Sequence, residues 1–106
     1  MVKELIWIIG NPYSINRMTN TELRTCRVCG LVYDNYYPWG EDGNSPTEDA
    51  CFCCGVESGY GDNNIIAIKN WREKWIAAGA KWRYPEKKPS NWSLGEQLKN
   101  IPERFK

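Results

Sequence analysis

The chain has 106 residues and a mass of 12.3 kDa, enough for one modest core and too few for two. Hydrophobic residues make up 42% and charged residues 25%, ordinary globular usage that excludes a disordered or fibrous chain. The formal charge of +1 conceals a split: residues 1–27 carry net +2, residues 28–68 carry seven acidic groups and no Lys or Arg, and residues 69–106 carry net +6. His is absent, which removes Ser-His-Asp and Cys-His catalysis and every mixed Cys/His zinc site.

In chain order, Glu4-Leu5-Ile6-Trp7-Ile8-Ile9 is a bulky, β-favouring run closed by Gly10-Asn11-Pro12, expected as a buried strand and turn. The run is shorter than a signal-peptide core, and no apolar stretch approaches 18 residues, so a cytoplasmic protein without a membrane span is expected. Thr21 to Arg27 reads as a ribbon strand entering a cysteine turn, and Leu31-Val32-Tyr33 as its return. Residues 35–50 hold two prolines, two glycines and no helical period, hence a loop. Asp62 or Asn63 is the expected cap of a helix over about 63–78, with Ile65, Ile68, Trp71, Trp75 and Ala78 inward and Gly79 ending it. Lys81 to Tyr84 suggests a short edge strand and residues 85–89 a basic linker. Ser93-Leu94-Gly95-Glu96 opens a second helix over about 94–101, with Leu98 and Ile101 inward, stopped by Pro102. The expected fold is one α+β domain with a small β core.

The chemistry lies in the cysteines. Cys26-Arg27-Val28-Cys29-Gly30 and Cys51-Phe52-Cys53-Cys54-Gly55 are two copies of C-x2-C-G, separated by 21 residues. Each turn sets two thiolates on one side of a tight loop, and the following Gly can take positive φ, so two turns supply a closed tetrahedron for a metal. A disulfide framework is the competing reading, disfavoured by an odd count of five and by a reducing compartment. Cys26, Cys29, Cys51 and Cys54 are the expected ligands of one structural Zn2+, with Fe as the alternative. Cys53 is left over at the position that Val28 holds in the first copy, and a register through Cys51 and Cys53 would break the repeat.

Residues 26–60 resemble a rubredoxin-type or zinc-ribbon module through Cys26, Cys29, Gly30, Tyr33, Asp34, Cys51, Cys54 and Gly55. The chain departs from rubredoxins in its shorter inter-knuckle loop, in Phe52 where Pro is usual, and in its large flanking segments. A second resemblance runs through Cys51 to Glu57, Gly59-Tyr60, Trp71, Arg72, Trp75-Ile76, Gly79 and Trp82. It is to a group of small bacterial CxCCG proteins, some of which stand beside polymorphic toxins as immunity proteins. That resemblance implies a module that neutralises a toxin, such as a nuclease, by binding it.

Composition places the partner surface on the loop from Tyr36 to Asp49, with Tyr37 and Trp39 as anchors and Glu41, Asp42, Glu48 and Asp49 steering a basic partner. The alternatives are a nucleic-acid-binding ribbon, using the basic and Trp-rich residues 69–88, and a rubredoxin-like electron carrier. Nucleic acid is the weaker partner, because the acidic middle opposes a polyanion. No motif indicates an enzyme.

Overall fold

The computed structural model describes residues 18–106; the strand expected at 4–9 lies outside them. Three α-helices occur among the described residues: α1 (Asn20–Leu23), α2 (Ile65–Ala77) and α3 (Leu94–Leu98), with 3-10 turns at Pro85–Lys87 and Glu103–Phe105. The expected β core is not formed. Thr25 pairs with Val32 and Ala50 with Glu57 as isolated bridges, and no sheet exists among the described residues.

The reason is local. Thr19 and Glu22 form a capping box, in which the Thr19 hydroxyl accepts from the Glu22 amide at 3.1 Å and the Glu22 carboxylate accepts from the Thr19 amide at 2.9 Å. That box coils Asn20–Leu23 and leaves only the residues next to Cys26 free to pair. After Glu57 the chain also turns at once, since the Tyr60 and Gly61 amides both donate to its carbonyl. The segment 81–84, expected as an edge strand, instead lays its Arg83 and Tyr84 amides on the carbonyls of Cys53 and Phe52 at 3.0 Å each.

α2 matches the expected helix closely. Its cap is Asn64, whose Oδ1 accepts from the Ala67 amide at 2.8 Å, and it ends before Gly79 at φ 105°. Asp62 is displaced from capping to the interior. It is 2% exposed, and its two oxygens accept from the Gly59 amide and the Trp39 indole. Ile68 and Trp75 are the buried residues of α2, whereas Ile65 and Trp71 keep 41% and 37% of their surface, so the inward stripe is narrower than the spacing suggested. α3 stops at Leu98, three residues early, because the Asn100 and Ile101 amides tighten onto the carbonyls three residues back. Ile101 is still buried.

The core is small and centred on sulfur: all five cysteines are buried with Val28, Val56, Ile68, Trp75 and Trp82. Gly30 and Gly55 both take positive φ, 86° and 77°, but their surroundings differ. A Cβ on Gly30 would run into the backbone carbonyl of Gln97, whereas one on Gly55 would meet the flexible Arg83 side chain at 3.3 Å. Gly30→Ala should therefore cost about 3 kcal/mol or more and Gly55→Ala about 1–2 kcal/mol, read by denaturant unfolding of the metal-loaded protein. Equal losses would contradict the close approach of α3 to the first knuckle.

Candidate metal centre

The two knuckles are built alike, bond for bond. The Cys26 amide donates to Leu31 O at 2.8 Å and the Cys51 amide to Val56 O at 2.9 Å. Gly30 returns to Cys26 O and Gly55 to Cys51 O, each at 3.0 Å, and Tyr33 and Ser58 close the two hairpins onto Arg24 O and Asp49 O. Positive φ at the glycine is what lets each chain reverse so tightly. The repeat in sequence is thus a repeat in backbone hydrogen bonding.

This duplication aims four sulfurs at one point. Sγ of Cys26 lies 3.7 Å from that of Cys54, Sγ of Cys29 lies 3.7 Å from that of Cys51, and all four sit within 4.8 Å of one another. A tetrahedral zinc with Zn–S bonds of about 2.3 Å has edges of about 3.8 Å, so the residues fit such an ion. All five cysteines are free thiols. Cys53 is fully buried but stands outside the cluster, its amide donating to Cys51 Sγ at 3.4 Å and its sulfur accepting from Gln97 Nε2 at 3.3 Å.

Burial pushes the Cys29 and Cys54 thiols well up, while the sulfurs of Cys26, Cys29 and Cys54, together with the Tyr33 hydroxyl, hold Cys51 well down. A divalent ion held among the four sulfurs would offset the burial cost and favour their thiolate form.

Tight knuckles leave their outward carbonyls without partners, and the C-terminal third of the chain supplies them. In the first knuckle, Arg72 donates from Nη2 to Arg27 O at 2.9 Å and from Nε to Val28 O at 2.7 Å, and Gln97 Nε2 donates to Cys29 O at 3.1 Å. In the second, Tyr84 N, Arg83 N and Trp71 Nε1 donate to the carbonyls of Phe52, Cys53 and Cys54, each at 3.0 Å. Arg72 also reaches Phe105 O at 2.6 Å, which docks the C-terminal turn. Gln97 is fixed in turn by the Trp92 indole at 2.7 Å.

Sequence reasoning missed the roles of Arg72 and Gln97, although a signal existed. Arg72 falls four residues after Ile68 and three before Trp75, on the inward face of α2. Gln97 falls between Leu94 and Ile101 on the inward face of α3. A polar side chain at such a position must meet a buried partner.

The expected partner loop is largely tied into its own fold. Tyr36 OH donates to Asp49 at 2.7 Å and contacts Thr47, and Tyr37 OH accepts from Asn20 Nδ2 at 2.8 Å. Trp39 stacks on the Arg27 guanidinium at 4.0 Å while its indole N–H donates to Asp62. The Arg27 guanidinium also lies 4.5 Å over the Phe105 ring and donates to Gly43 O. Burial pulls its pKa down to about 10, with Asp62 opposing that shift, so it stays charged at neutral pH. Glu41, Asp42, Glu48 and Asp49 are exposed. No described helix is long and apolar enough to cross a membrane.

No family model and no solved structure matches the chain. It is 31% identical over 93 residues to the uncharacterized protein YozI of Bacillus subtilis (strain 168), a match covering 74% of this chain and 77% of that protein. No finding supports a link to immunity proteins.

Cys53→Ser should retain the metal in full and Cys51→Ala should lose it, as read by elemental analysis after gel filtration; the reverse pattern would move the register to Cys53. Arg72→Lys should lower stability by about 2 kcal/mol, since a point cation cannot reproduce the fork and the half-buried site leaves the loss partly hydrated. A melting curve indistinguishable from the parent would refute the clamp.

Proposed function

We propose that this chain, which belongs to the same family as YozI, is a zinc-stapled binding module in which one Zn2+ is structural. The observation that supports this reading is the convergence of four buried sulfurs, supplied by two distant turns, at tetrahedral spacing. Four thiolate ligands leave no open position for water or substrate, so the reading includes no catalysis. Cys26, Cys29, Cys51 and Cys54 would hold the ion, which supplies the positive charge that lets the knuckles close. Free buried thiols suit a reducing compartment such as the cytoplasm.

A protein partner is the second part of the reading, favoured by the exposed carboxylates of Glu41, Asp42 and Glu48 in a stretch without Lys or Arg. Such charge steers a basic partner, a toxin domain being one candidate, and opposes nucleic acid. Since Tyr36, Tyr37 and Trp39 already serve the fold, the loop offers that partner charge more than aromatic anchors. Iron in the same thiolates would instead make an electron carrier.

Protein purified from its native host should carry one zinc per chain and be colourless. Chelation should abolish the cooperative melting transition, because metal-binding energy is folding energy in a site of this kind. A red protein with one iron and a reversible one-electron couple would establish the carrier, and a melting curve unmoved after confirmed metal loss would end the structural role.

A further inference from the structure

A groove of about 710 Å3 lies between the knuckles and the C-terminal segment. It has the size of a site for a drug-sized molecule or a few peptide residues. Four rings follow one another through its lining: Tyr36 stands edge-on to Tyr33 with centroids 4.9 Å apart, Tyr33 to Phe52 at 5.2 Å, and Phe52 to Tyr84 at 5.6 Å. Tyr84 keeps 37% of its surface exposed.

Two further features bear on the occupant. Asp34 and Asp49 line the groove, both exposed, and neither forms an ion pair among the described residues. Asp49 meets the Tyr36 hydroxyl at 2.7 Å, which puts negative charge at the Tyr36 end of the rings. Lys87 also lines the groove, its ammonium 5.1 Å over the Phe52 ring.

We propose that this groove binds an extended, proline-containing peptide segment of a partner protein, with an Arg or Lys of that segment facing the carboxylates of Asp34 and Asp49. The proposal rests on the metal-stapled scaffold above and names its partner chemistry. Proline rings pack on aromatic surfaces, and a polyproline segment arrives preformed, so little chain entropy is lost on binding. The carboxylates select a cation. Stacked bases of single-stranded nucleic acid would also suit the rings, but their phosphates would face two carboxylates, Asp34 and Asp49, against the single lysine Lys87, which favours the peptide.

The test is fluorescence anisotropy on the metal-loaded full chain with a set of short labelled Pro-x-x-Pro peptides, each ending in Arg or in Glu, and with oligothymidylate as the rival. Arg-ended peptides should bind about tenfold or more tighter than their Glu-ended counterparts. Asp34→Lys should cancel that preference, and Tyr84→Ala should weaken every peptide about tenfold, since the exposed ring is a binding surface and its backbone N–H stays on Phe52 O. Absence of any Arg preference, or variants that bind like the parent, would overturn the proposal. Oligothymidylate binding that Asp34→Lys strengthens would reassign the groove to nucleic acid. Metal content is measured in parallel, so a parent protein that binds the Arg peptides without zinc refutes the scaffold reading and upholds the groove.

Discussion

Four buried cysteine sulfurs are confined to one small volume, and as thiolates around a metal they would repel each other, so the surrounding architecture is best understood from what would offset that repulsion. With sulfurs 3.7 Å apart and buried, the Coulomb cost is large in a medium less polar than water. A divalent cation answers it only in part, because four thiolates around it still leave two net negative charges. Positive charge is accordingly held nearby. Arg72 lies over the carbonyls of the first knuckle, and burial lowers its pKa while the Cys26, Cys29 and Cys54 sulfurs raise it.

Closing the knuckles creates a second demand. Each C-x2-C-G turn directs three successive carbonyls away from the sulfurs, where the hairpin itself cannot reach them. The C-terminal third answers all six, but by different means in the two copies. The first knuckle is held by the side chains of Arg72 and Gln97, the second by two backbone amides and the Trp71 indole. Chemically equal turns have therefore become unequal in sequence tolerance. Gly30 is pressed against α3, and Gly55 faces only a flexible arginine.

The acidic middle segment divides its labour in the same way. Two of its loop aromatics are drawn inward, Trp39 over Arg27 and Tyr36 against Thr47 and Asp49, which frees the loop from needing regular structure to be ordered. The carboxylates of Glu41, Asp42, Glu48 and Asp49 remain outside, while Asp62 is buried. The ring series from Tyr36 to Tyr84 crosses from this loop to the basic segment, so the groove sits where the two halves of the charge split meet, with Lys87 5.1 Å over the Phe52 ring.

What the sequence determined by itself is what short-range chemistry enforces. The duplicated C-x2-C-G pattern set out two like turns with their sulfurs to one side, and Asp62-Asn63 before an apolar period with Gly79 after it marked α2 to within a residue or two at either end, although the cap itself is Asn64. The capping box at Thr19 and Glu22 is equally local, and it coils the start of a stretch that otherwise reads as a strand, so helix and turns stand where a β core is expected. Tertiary structure alone decided the rest. Whether Thr25 and Ala50 extend into strands depends on where their neighbours go. Whether Trp39 faces a partner or Arg27 depends on residues far along the chain. The carbonyls of residues 27–29 and 52–54 find donors at positions 71, 72, 83, 84 and 97, and no local pattern encodes a hydrogen bond whose two halves lie up to 68 residues apart.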